Sequence, residues 1–299
     1  MDFWNLTTKI ILLSQNIAGI LGNFSLFYYY LVHYGESKLK PTDLILMHLM
    51  AANTLIILSL GVPNTMAAFG LKQIVNYFGC KLILYIQMVG RSVSIGTTCL
   101  LSIFQAITIS QKEFCCKDQK VKCAKYIECG IALLWVLYML INVIIPVFQF
   151  IKRNSKNVTR KWDFAYCSTA GRDEINDSLY SALVVCPEIF FSFLMAWSSG
   201  YMIVILYRHK QRVQHIHTYG SSRISFESIA TQSILVLVST FLAFYTLSSI
   251  LQGCIALFHN YNRWLVDITF LTSLCFPCFG PFVFMNHYFM VPRLTCSGS

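Results

Sequence analysis

Two ionisable residues stand inside long apolar stretches of the sequence, where charged side chains are rare. Arg91 would lie about 16 Å along a helix axis from Cys80, and Glu188 follows Pro187 in a later stretch. A charge inside an apolar helix is costly, so it indicates either a functional group or a partner of opposite charge. Two interpretations stay open: Arg91 and Glu188 pair with each other, or Arg91 binds an acidic ligand group and Glu188 a basic or hydroxyl group.

Large and polar side chains close to these two residues are candidates for the lining of the same cavity. A small-molecule pocket is mostly apolar and carries a few polar groups that orient the ligand. The candidate lining residues are Tyr85, Gln87, Met88, Phe190 and Phe191. Helix packing remains the alternative role for each aromatic residue in this set.

The sequence shows no constellation that is typical of an enzyme. Its seven histidines form no HExxH motif, and the apolar stretches hold no acidic pair at catalytic spacing. Cys275 and Cys278 have CxxC spacing, but they lie in an apolar stretch and lack further ligands for a metal. We therefore expect no catalytic site, no metal and no cofactor.

The elements that must position these residues are membrane-spanning helices. Of the 299 residues, 56% are hydrophobic and only 12% are charged, and the mean hydropathy is +0.58. Soluble proteins usually carry about 25% charged residues. The composition excludes a cytosolic enzyme and a nucleic-acid binder. The net charge of +10 does not change this, because the basic residues fall between apolar stretches and would face lipid headgroups.

Seven stretches are long and apolar enough for a helix to cross a bilayer, which takes about 20 residues. Backbone polar groups in lipid must be paired internally, so helices are expected in all of them. The predicted spans are about 10–32, 43–69, 80–110, 126–150, 178–207, 228–258 and 265–288. The sequence thus predicts an all-α membrane protein, with residues 1–299 forming a single seven-transmembrane helix bundle.

Basic residues and glycosylation signals together predict the orientation. Twelve Lys and Arg residues lie on the side of the first inner loop and the C-terminus, and ten lie on the other side, six of them in residues 151–175. Asn5 and Asn157 begin N-x-[ST] sequons, which are modified only outside the cytosol. Both lie on the less basic side, so we expect the N-terminus outside and the C-terminus in the cytoplasm.

The same orientation predicts one disulfide. Of the twelve cysteines, the outer side offers Cys80, at the top of the third span, and Cys167, in the loop before the fifth. Two cysteines in an oxidising compartment are expected to pair. Their bond would hold this loop across the mouth of the bundle.

Several residues resemble landmarks of rhodopsin-type G-protein-coupled receptors. Gly22 and Asn23 in the first span, Trp135 in the fourth, and the pair Cys80 and Cys167 fit that pattern. Other positions depart from it in a consistent way. Phe104-Gln105-Ala106 replaces Asp-Arg-Tyr, Asn53 replaces an Asp, the sixth span lacks proline, and Phe276-Pro277-Cys278-Phe279-Gly280-Pro281-Phe282 replaces Asn-Pro-x-x-Tyr.

At these positions the sequence resembles the vomeronasal type-1 receptor family, and the resemblance covers essentially the whole chain. The motifs that carry it are His48-Leu-Met-Ala-Ala-Asn53, Phe104-Gln-Ala-Ile-Thr-Ile-Ser110, Trp197-Ser-Ser-Gly-Tyr-Met202, His209-Lys-Gln-Arg-Val-Gln-His-Ile-His217, Thr231-Gln-Ser-Ile-Leu-Val-Leu-Val-Ser-Thr240 and Phe244-Tyr-Thr-Leu-Ser-Ser249.

The resemblance implies a multi-pass plasma-membrane receptor that detects a small pheromone-like ligand and activates a heterotrimeric Gi/o protein. The cytoplasmic end of span three and the third inner loop would then form the G-protein surface. The residues predicted for this surface are Gln105, Arg208, His209, Lys210 and Arg212. Anchoring at anionic headgroups is the other role open to these cations.

Two other classes of function serve as alternatives. A multi-pass transporter would show an internal repeat with matched broken helices, and the sequence has no such repeat. A receptor of the same fold without a chemosensory role is the second alternative. A retinal-binding opsin is excluded, because the predicted seventh span contains no lysine for a Schiff base.

Overall fold

Long helices account for the apolar stretches of the chain. The structure is a computed structural model, and it describes residues 2–36, 41–71, 76–110, 117–152, 161–164, 167–170, 186–216, 226–257 and 263–295. Within these residues the long helices are α1 Asp2–Glu36, α2 Pro41–Ala68, α3 Tyr77–Ser110, α4 Lys117–Lys152, α5 Cys186–Ile216, α6 Phe226–Leu257 and α7 Arg263–Thr295. The predicted seven-helix bundle is confirmed; which side its termini face stays a prediction.

The structure adds a short hairpin to the predicted helices. Strands β1 (Lys161–Phe164) and β2 (Cys167–Ala170) pair antiparallel, with Phe164 opposite Cys167. The hairpin lies in the long connection between α4 and α5, and β2 contacts α3. The sequence predicts only a loop for this connection.

Helix α3 is the central element of the bundle. It contacts α2, α4, α5 and α6 as well as β2. Five helices are apolar and long enough to cross a membrane by hydropathy, and α3 is not among them in the described part of the chain. Arg91, two glutamines and several hydroxyl residues lower its hydropathy. Some of the buried hydroxyls bond to carbonyls of α3 itself. Thr97 donates to Val93 O at 2.7 Å, and Thr98 donates to Ser94 O at 2.7 Å.

Helix α2 contains a π-helical segment, Ile57–Gly61, between the α-helical parts Pro41–Ile56 and Val62–Ala68. Side chains in and just after this segment donate to nearby carbonyls. Ser59 Oγ bonds Leu55 O at 2.6 Å, and Asn64 Nδ2 bonds Leu60 O at 2.7 Å. Such bonds offset irregular backbone inside a membrane. The wider turn was not predicted, because a π segment has no signature in hydropathy.

Helix α2 ends at a glycine for a conformational reason. Gly70 has φ = 96°, in the left-handed region that side chains disfavour. Its N–H donates to Ala67 O at 3.1 Å, and the N–H of Leu71 donates to Met66 O at 3.0 Å. This pair of bonds is the Schellman arrangement, which closes the last turn of a helix.

Close approach of α1 to α7 depends on Gly19. A Cβ at this position would lie 2.7 Å from both Cys278 Sγ and Ile57 Cδ1. In the same region Asn23 Nδ2 donates to Pro277 O of α7 at 2.8 Å. The first helix is therefore held against the seventh by shape and by a buried hydrogen bond.

We expect Gly19→Ala to lower the melting temperature of the detergent-solubilised protein, because overpacking a filled core costs about 1–3 kcal/mol. Gly130→Ala is the matched control. Gly130 is also helical, but a Cβ there would meet nothing within 4 Å. That change should be neutral or slightly stabilising, since Ala is the better helix former. Equal melting temperatures for the two variants would contradict the packing role of Gly19.

Helices α4, α5 and α7 extend beyond the predicted spans on the side predicted to be cytoplasmic. Helix α5 continues from the predicted end at residue 207 to Ile216. The expectation that Arg208 to Arg212 lie in a loop was therefore wrong. Arg, Lys and Gln are good helix formers, so the backbone stays helical after the apolar stretch ends. Hydropathy marks the edge of the membrane and not the end of the helix.

Candidate functional site

Arg91 and Glu188 form an ion pair between α3 and α5. Arg91 Nε lies 3.2 Å from Glu188 Oε1, and the two side chains are 17% and 13% exposed. The sequence left two interpretations open, and the structure shows the first, in which Arg91 and Glu188 pair with each other. Nε is the one guanidinium nitrogen that the structure shows in contact with the carboxylate, so the geometry differs from the stronger bidentate arrangement of Arg and carboxylate.

Helix α6 supplies further neighbours of the guanidinium. Arg91 Nε shares its hydrogen between Glu188 and Tyr245 OH, which lies at 2.9 Å. The terminal nitrogens donate to Ser248 Oγ at 3.4 Å and to Ser249 Oγ at 3.0 Å. Arg91 Cζ also lies 4.3 Å from the centroid of the Tyr245 ring, close enough for a cation–π interaction. One cation thus contacts a carboxylate, three hydroxyls and an aromatic face.

The network continues to α7 through Ser248. Its Oγ lies 2.6 Å from Ser273 Oγ. Arg91 therefore links α3 directly to α5 and α6, and indirectly to α7. A change at this residue would alter contacts of four helices at once.

Arg91, Tyr245, Ser248 and Ser273 border a cavity inside the bundle, whereas Glu188 and Ser249 contact Arg91 without lining the cavity. Its apolar wall consists of Ile56, Leu60, Phe241, Phe244, Phe276 and Pro277, and its polar side includes Gln87, Arg91, Ser94, Tyr245 and Ser273. The cavity volume is about 30 Å³, which holds one or two water molecules. A larger molecule can enter only if the side chains around Arg91 move.

The predicted lining residues fall into two groups. Gln87 lines the cavity, because it lies four residues before Arg91 on the same face of α3. Tyr85 points instead toward α4 and donates to Met139 O at 3.1 Å. Met88 is half-buried and does not line the cavity.

The two phenylalanines of α5 also lie away from the cavity, so their expected position is corrected. Phe190 is 58% exposed on the outside of the bundle. Phe191 packs on Tyr138 of α4, with 6.4 Å between the ring centroids. The physical reason is helical periodicity. Phe190, two positions after Glu188, lies about 200° around the helix and so faces outward. Phe191, three positions after Glu188, is rotated by only about 60° from it, and this rotation turns its ring toward α4.

Four residues of the site were not predicted from the sequence: Tyr245, Ser248, Ser249 and Ser273. Three of them occur at positions i, i+3 and i+4 of α6, the spacing that places side chains on one helix face. They also belong to the motif Phe244–Ser249 that carries part of the family resemblance. The spacing of hydroxyls in that motif was the available signal, although only the packing shows that they face Arg91.

The predicted G-protein surface is described in part. Gln105 is half-buried near the end of α3, and Arg208 is exposed on α5. His209, Lys210 and Arg212 continue along the helical backbone of α5, and their side chains lie outside the described residues.

The predicted outer features are described less fully. Cys80 is buried and disulfide-bonded, while Cys186, Cys129 and Cys278 are among the free cysteines. Cys167 begins β2, and its side chain lies outside the described residues. Asn5 lies in the first turns of α1, and Asn157 falls outside the described residues. The pairing of Cys80 with Cys167 and the two glycosylation sites stay predictions.

The fold is that of rhodopsin. The crystal structure of squid rhodopsin superposes with a TM-score of 0.70 over 95% of this chain and 82% of that one, at 16% sequence identity. Seven helices in this arrangement, with a polar cluster around an internal cavity, are the fold of the G-protein-coupled receptors.

Sequence comparison identifies the family within this class. The model of the vomeronasal organ pheromone receptor family matches residues 6–297. The human vomeronasal type-1 receptor 4 is 47% identical over 277 residues, which are 92% of each chain, and the human vomeronasal type-1 receptor 3 is 46% identical over 97% of this chain and 94% of that one. A more distant relative, the zebrafish (Danio rerio) olfactory receptor class A-like protein 1, is 26% identical over the whole chain and 95% of its own length.

This chain belongs to the vomeronasal type-1 receptor family. It is a multi-pass receptor of the plasma membrane and not an enzyme, as the sequence analysis predicted.

Proposed function

We propose that this receptor binds a small pheromone-type molecule in the cavity beside Arg91 and in response activates a Gi/o heterotrimer. The observation that carries the proposal is the contact of Arg91 with both α5 and α6. A ligand acts on a receptor only through a difference in its affinity for two conformations. A molecule that competes for Arg91 binds more tightly to a conformation in which Arg91 has released its contacts with α5 and α6 than to one in which those contacts are formed.

The chemistry of the cavity supports a ligand with an apolar body and a polar end. Aromatic and aliphatic side chains form most of the wall. Arg91 offers donors to an acidic group of the ligand. Glu188 does not line the cavity, but once its contact with Arg91 is broken it offers an acceptor to a basic or hydroxyl group. The single-nitrogen contact between them favours exchange, since a ligand carboxylate that engages two guanidinium nitrogens makes the stronger bond.

The same network also provides the restraint of the resting state. Receptors that resemble rhodopsin usually hold this state with an arginine at the cytoplasmic end of the third helix, where this chain has Gln105. Arg91 instead holds α6 near the middle of the bundle. Entry of a ligand into the small cavity separates Arg91 from its neighbours and leaves α6 free to move relative to α3, the kind of helix motion that opens a cytoplasmic surface.

Nucleotide exchange tests this proposal directly. Membranes that contain the receptor, surface-labelled to establish folding, are mixed with Gi/o heterotrimer, with and without pooled conspecific secretions. We expect exchange that depends on the secretions. Exchange with a different Gα class would contradict the Gi/o assignment. A rate of nucleotide exchange that is the same with and without secretions, whichever Gα class is added, would favour a receptor without a chemosensory role.

The basic end of α5 gives a second test of the coupling. We expect the triple variant Arg208→Gln, Lys210→Gln, Arg212→Gln to lose about tenfold in the rate of Gi/o exchange, because steering between charged surfaces raises association rates by this much or more. Lys9→Gln, which alters a cation on the predicted outer side, should exchange normally. If the triple variant reaches the surface and exchanges at the original rate, these cations serve only as a membrane anchor.

A further inference from the structure

Gln87 is the cavity residue whose hydrogen bonding is incomplete. Its Oε1 is buried, and no hydrogen-bond partner exists for it among the described residues. A buried acceptor without a partner costs free energy, so it needs an explanation in a folded protein. Neighbouring polar groups of the cavity differ: Ser94 donates to Asn53 Oδ1 at 3.0 Å, and Ser248 bonds Ser273.

Gln87 lies on the face of α3 that borders the cavity. It precedes Arg91 by four residues on α3, so the two side chains share one face and both line the cavity. The spacing along the helix axis is about 6 Å, at 1.5 Å per residue. Arg91 and the side-chain amide of Gln87 therefore lie one helical turn apart along the cavity side of α3.

We propose that Gln87 determines ligand specificity by accepting a hydrogen bond from a hydroxyl or N–H group of the ligand. This inference rests on the proposed function, and it narrows the ligand to one chemical class. The ligand carries an acceptor or anionic group for Arg91 and, joined to it by an apolar segment, a donor for the amide of Gln87 one helical turn away. A molecule that lacks the donor leaves Oε1 unpaired and binds more weakly.

A second glutamine serves as a matched control. Gln15 of α1 also has a buried Oε1 without a partner among the described residues, but it does not line the cavity, and its Nε2 donates to Cys275 Sγ at 3.6 Å. Gln15→Leu and Gln87→Leu therefore remove the same type of group at two places. They differ in access to the ligand.

The first measurement needs no ligand. We expect Gln87→Leu to melt at the same temperature as the wild-type receptor in detergent, or higher, because it removes an unpaired polar atom from the interior. Gln15→Leu should behave in the same way. A clear loss of thermal stability in Gln87→Leu alone would show that Gln87 serves the fold, and would overturn the proposal.

The second measurement compares two probe series, the ω-hydroxyalkanoates with six to ten carbons and the corresponding alkanoates without the hydroxyl. In the wild-type receptor we expect hydroxyl-bearing members to stimulate Gi/o exchange at about tenfold lower concentration than their parents. Gln87→Leu should reduce that ratio to about one, whereas Gln87→Glu, which retains an acceptor, and Gln15→Leu should preserve it.

Two results would overturn the proposal while the proposed function stands. One is equal potency of the two series in the wild-type receptor. The other is a response to pooled secretions without any response to either series. Failure of the proposed function looks different, because a surface-labelled receptor would then give no exchange with secretions, with any probe or with any Gα class.

Discussion

Glu188→Gln should raise the basal rate of Gi/o exchange about five- to tenfold in the absence of any ligand. The substitution keeps the shape of the side chain and removes its charge, so the attraction that joins α5 to Arg91 is lost. Coupling energies between receptor sites typically correspond to changes of about this size or larger. The measurement is nucleotide exchange on added heterotrimer, normalised to the receptor population labelled at the surface.

Arg91→Met should raise basal exchange as well, and should in addition abolish the response to ligand. It removes the contacts of the guanidinium with Tyr245, Ser248 and Ser249 together with the ion pair. The double variant Arg91→Glu, Glu188→Arg restores opposite charges across the same gap, so its basal exchange should fall below that of either single charge-removing variant. Such non-additive behaviour is the signature of two groups in direct contact.

Tyr85→Phe is the matched control for these variants. It removes another hydrogen bond from α3 to a neighbouring helix, the one from Tyr85 OH to Met139 O, and leaves the Arg91 network intact. Basal exchange should stay at the wild-type level. If Arg91→Met reaches the surface normally and shows unchanged basal exchange and an unchanged ligand response, Arg91 has neither of the proposed roles.

Cys167→Ser should abolish delivery of the receptor to the cell surface. Cys80 is disulfide-bonded, and β2, which begins at Cys167, contacts the helix that carries Cys80. Closing a loop of this length contributes about 4–5 kcal/mol in the chain-entropy description. That amount is comparable to the whole stability of many folded domains, so the unbonded receptor is expected to be retained and degraded.

Three variants separate this effect from a general sensitivity to cysteine replacement. Cys80→Ser should match Cys167→Ser, and the double variant should be no worse than either, because one bond is lost in each case. Cys186→Ser should reach the surface normally, since Cys186 is exposed and free at the start of α5. Normal surface labelling and ligand response in Cys167→Ser would mean that Cys80 has a different partner.

Hydropathy and family motifs by themselves determine the architecture of this receptor. Seven long apolar stretches leave few alternatives, because lipid offers no partner for backbone N–H and C=O groups. Arg91 and Glu188 are identifiable as a candidate site for the same reason, since a charge in an apolar helix requires a partner. The motif match indicates the receptor family over the full length of the chain.

The tertiary structure decided which side chains face the cavity. In a membrane protein both the interior and the surroundings are apolar, so hydropathy does not separate a buried aromatic residue from one that faces lipid. Phe241 is 1% exposed and lies at the cavity wall, whereas Phe190 and Trp197 are 58% and 70% exposed on the outside of α5. All three are aromatic residues within apolar stretches of the sequence. Only the rotation of each helix within the bundle decides which of them faces the interior.

Packing likewise selected the partners of Arg91. From the sequence, only Glu188 was predicted as a partner of this cation. In the structure Arg91 also contacts Tyr245, Ser248 and Ser249, which belong to a helix far away along the chain. Hydroxyls are common in membrane helices, where they usually bond to the carbonyl one turn back, as Thr97 does. The presence of a Ser, Thr or Tyr in a helix therefore does not predict whether its hydroxyl contacts a charged group. The packing of α3 against α6 decides which hydroxyls contact Arg91.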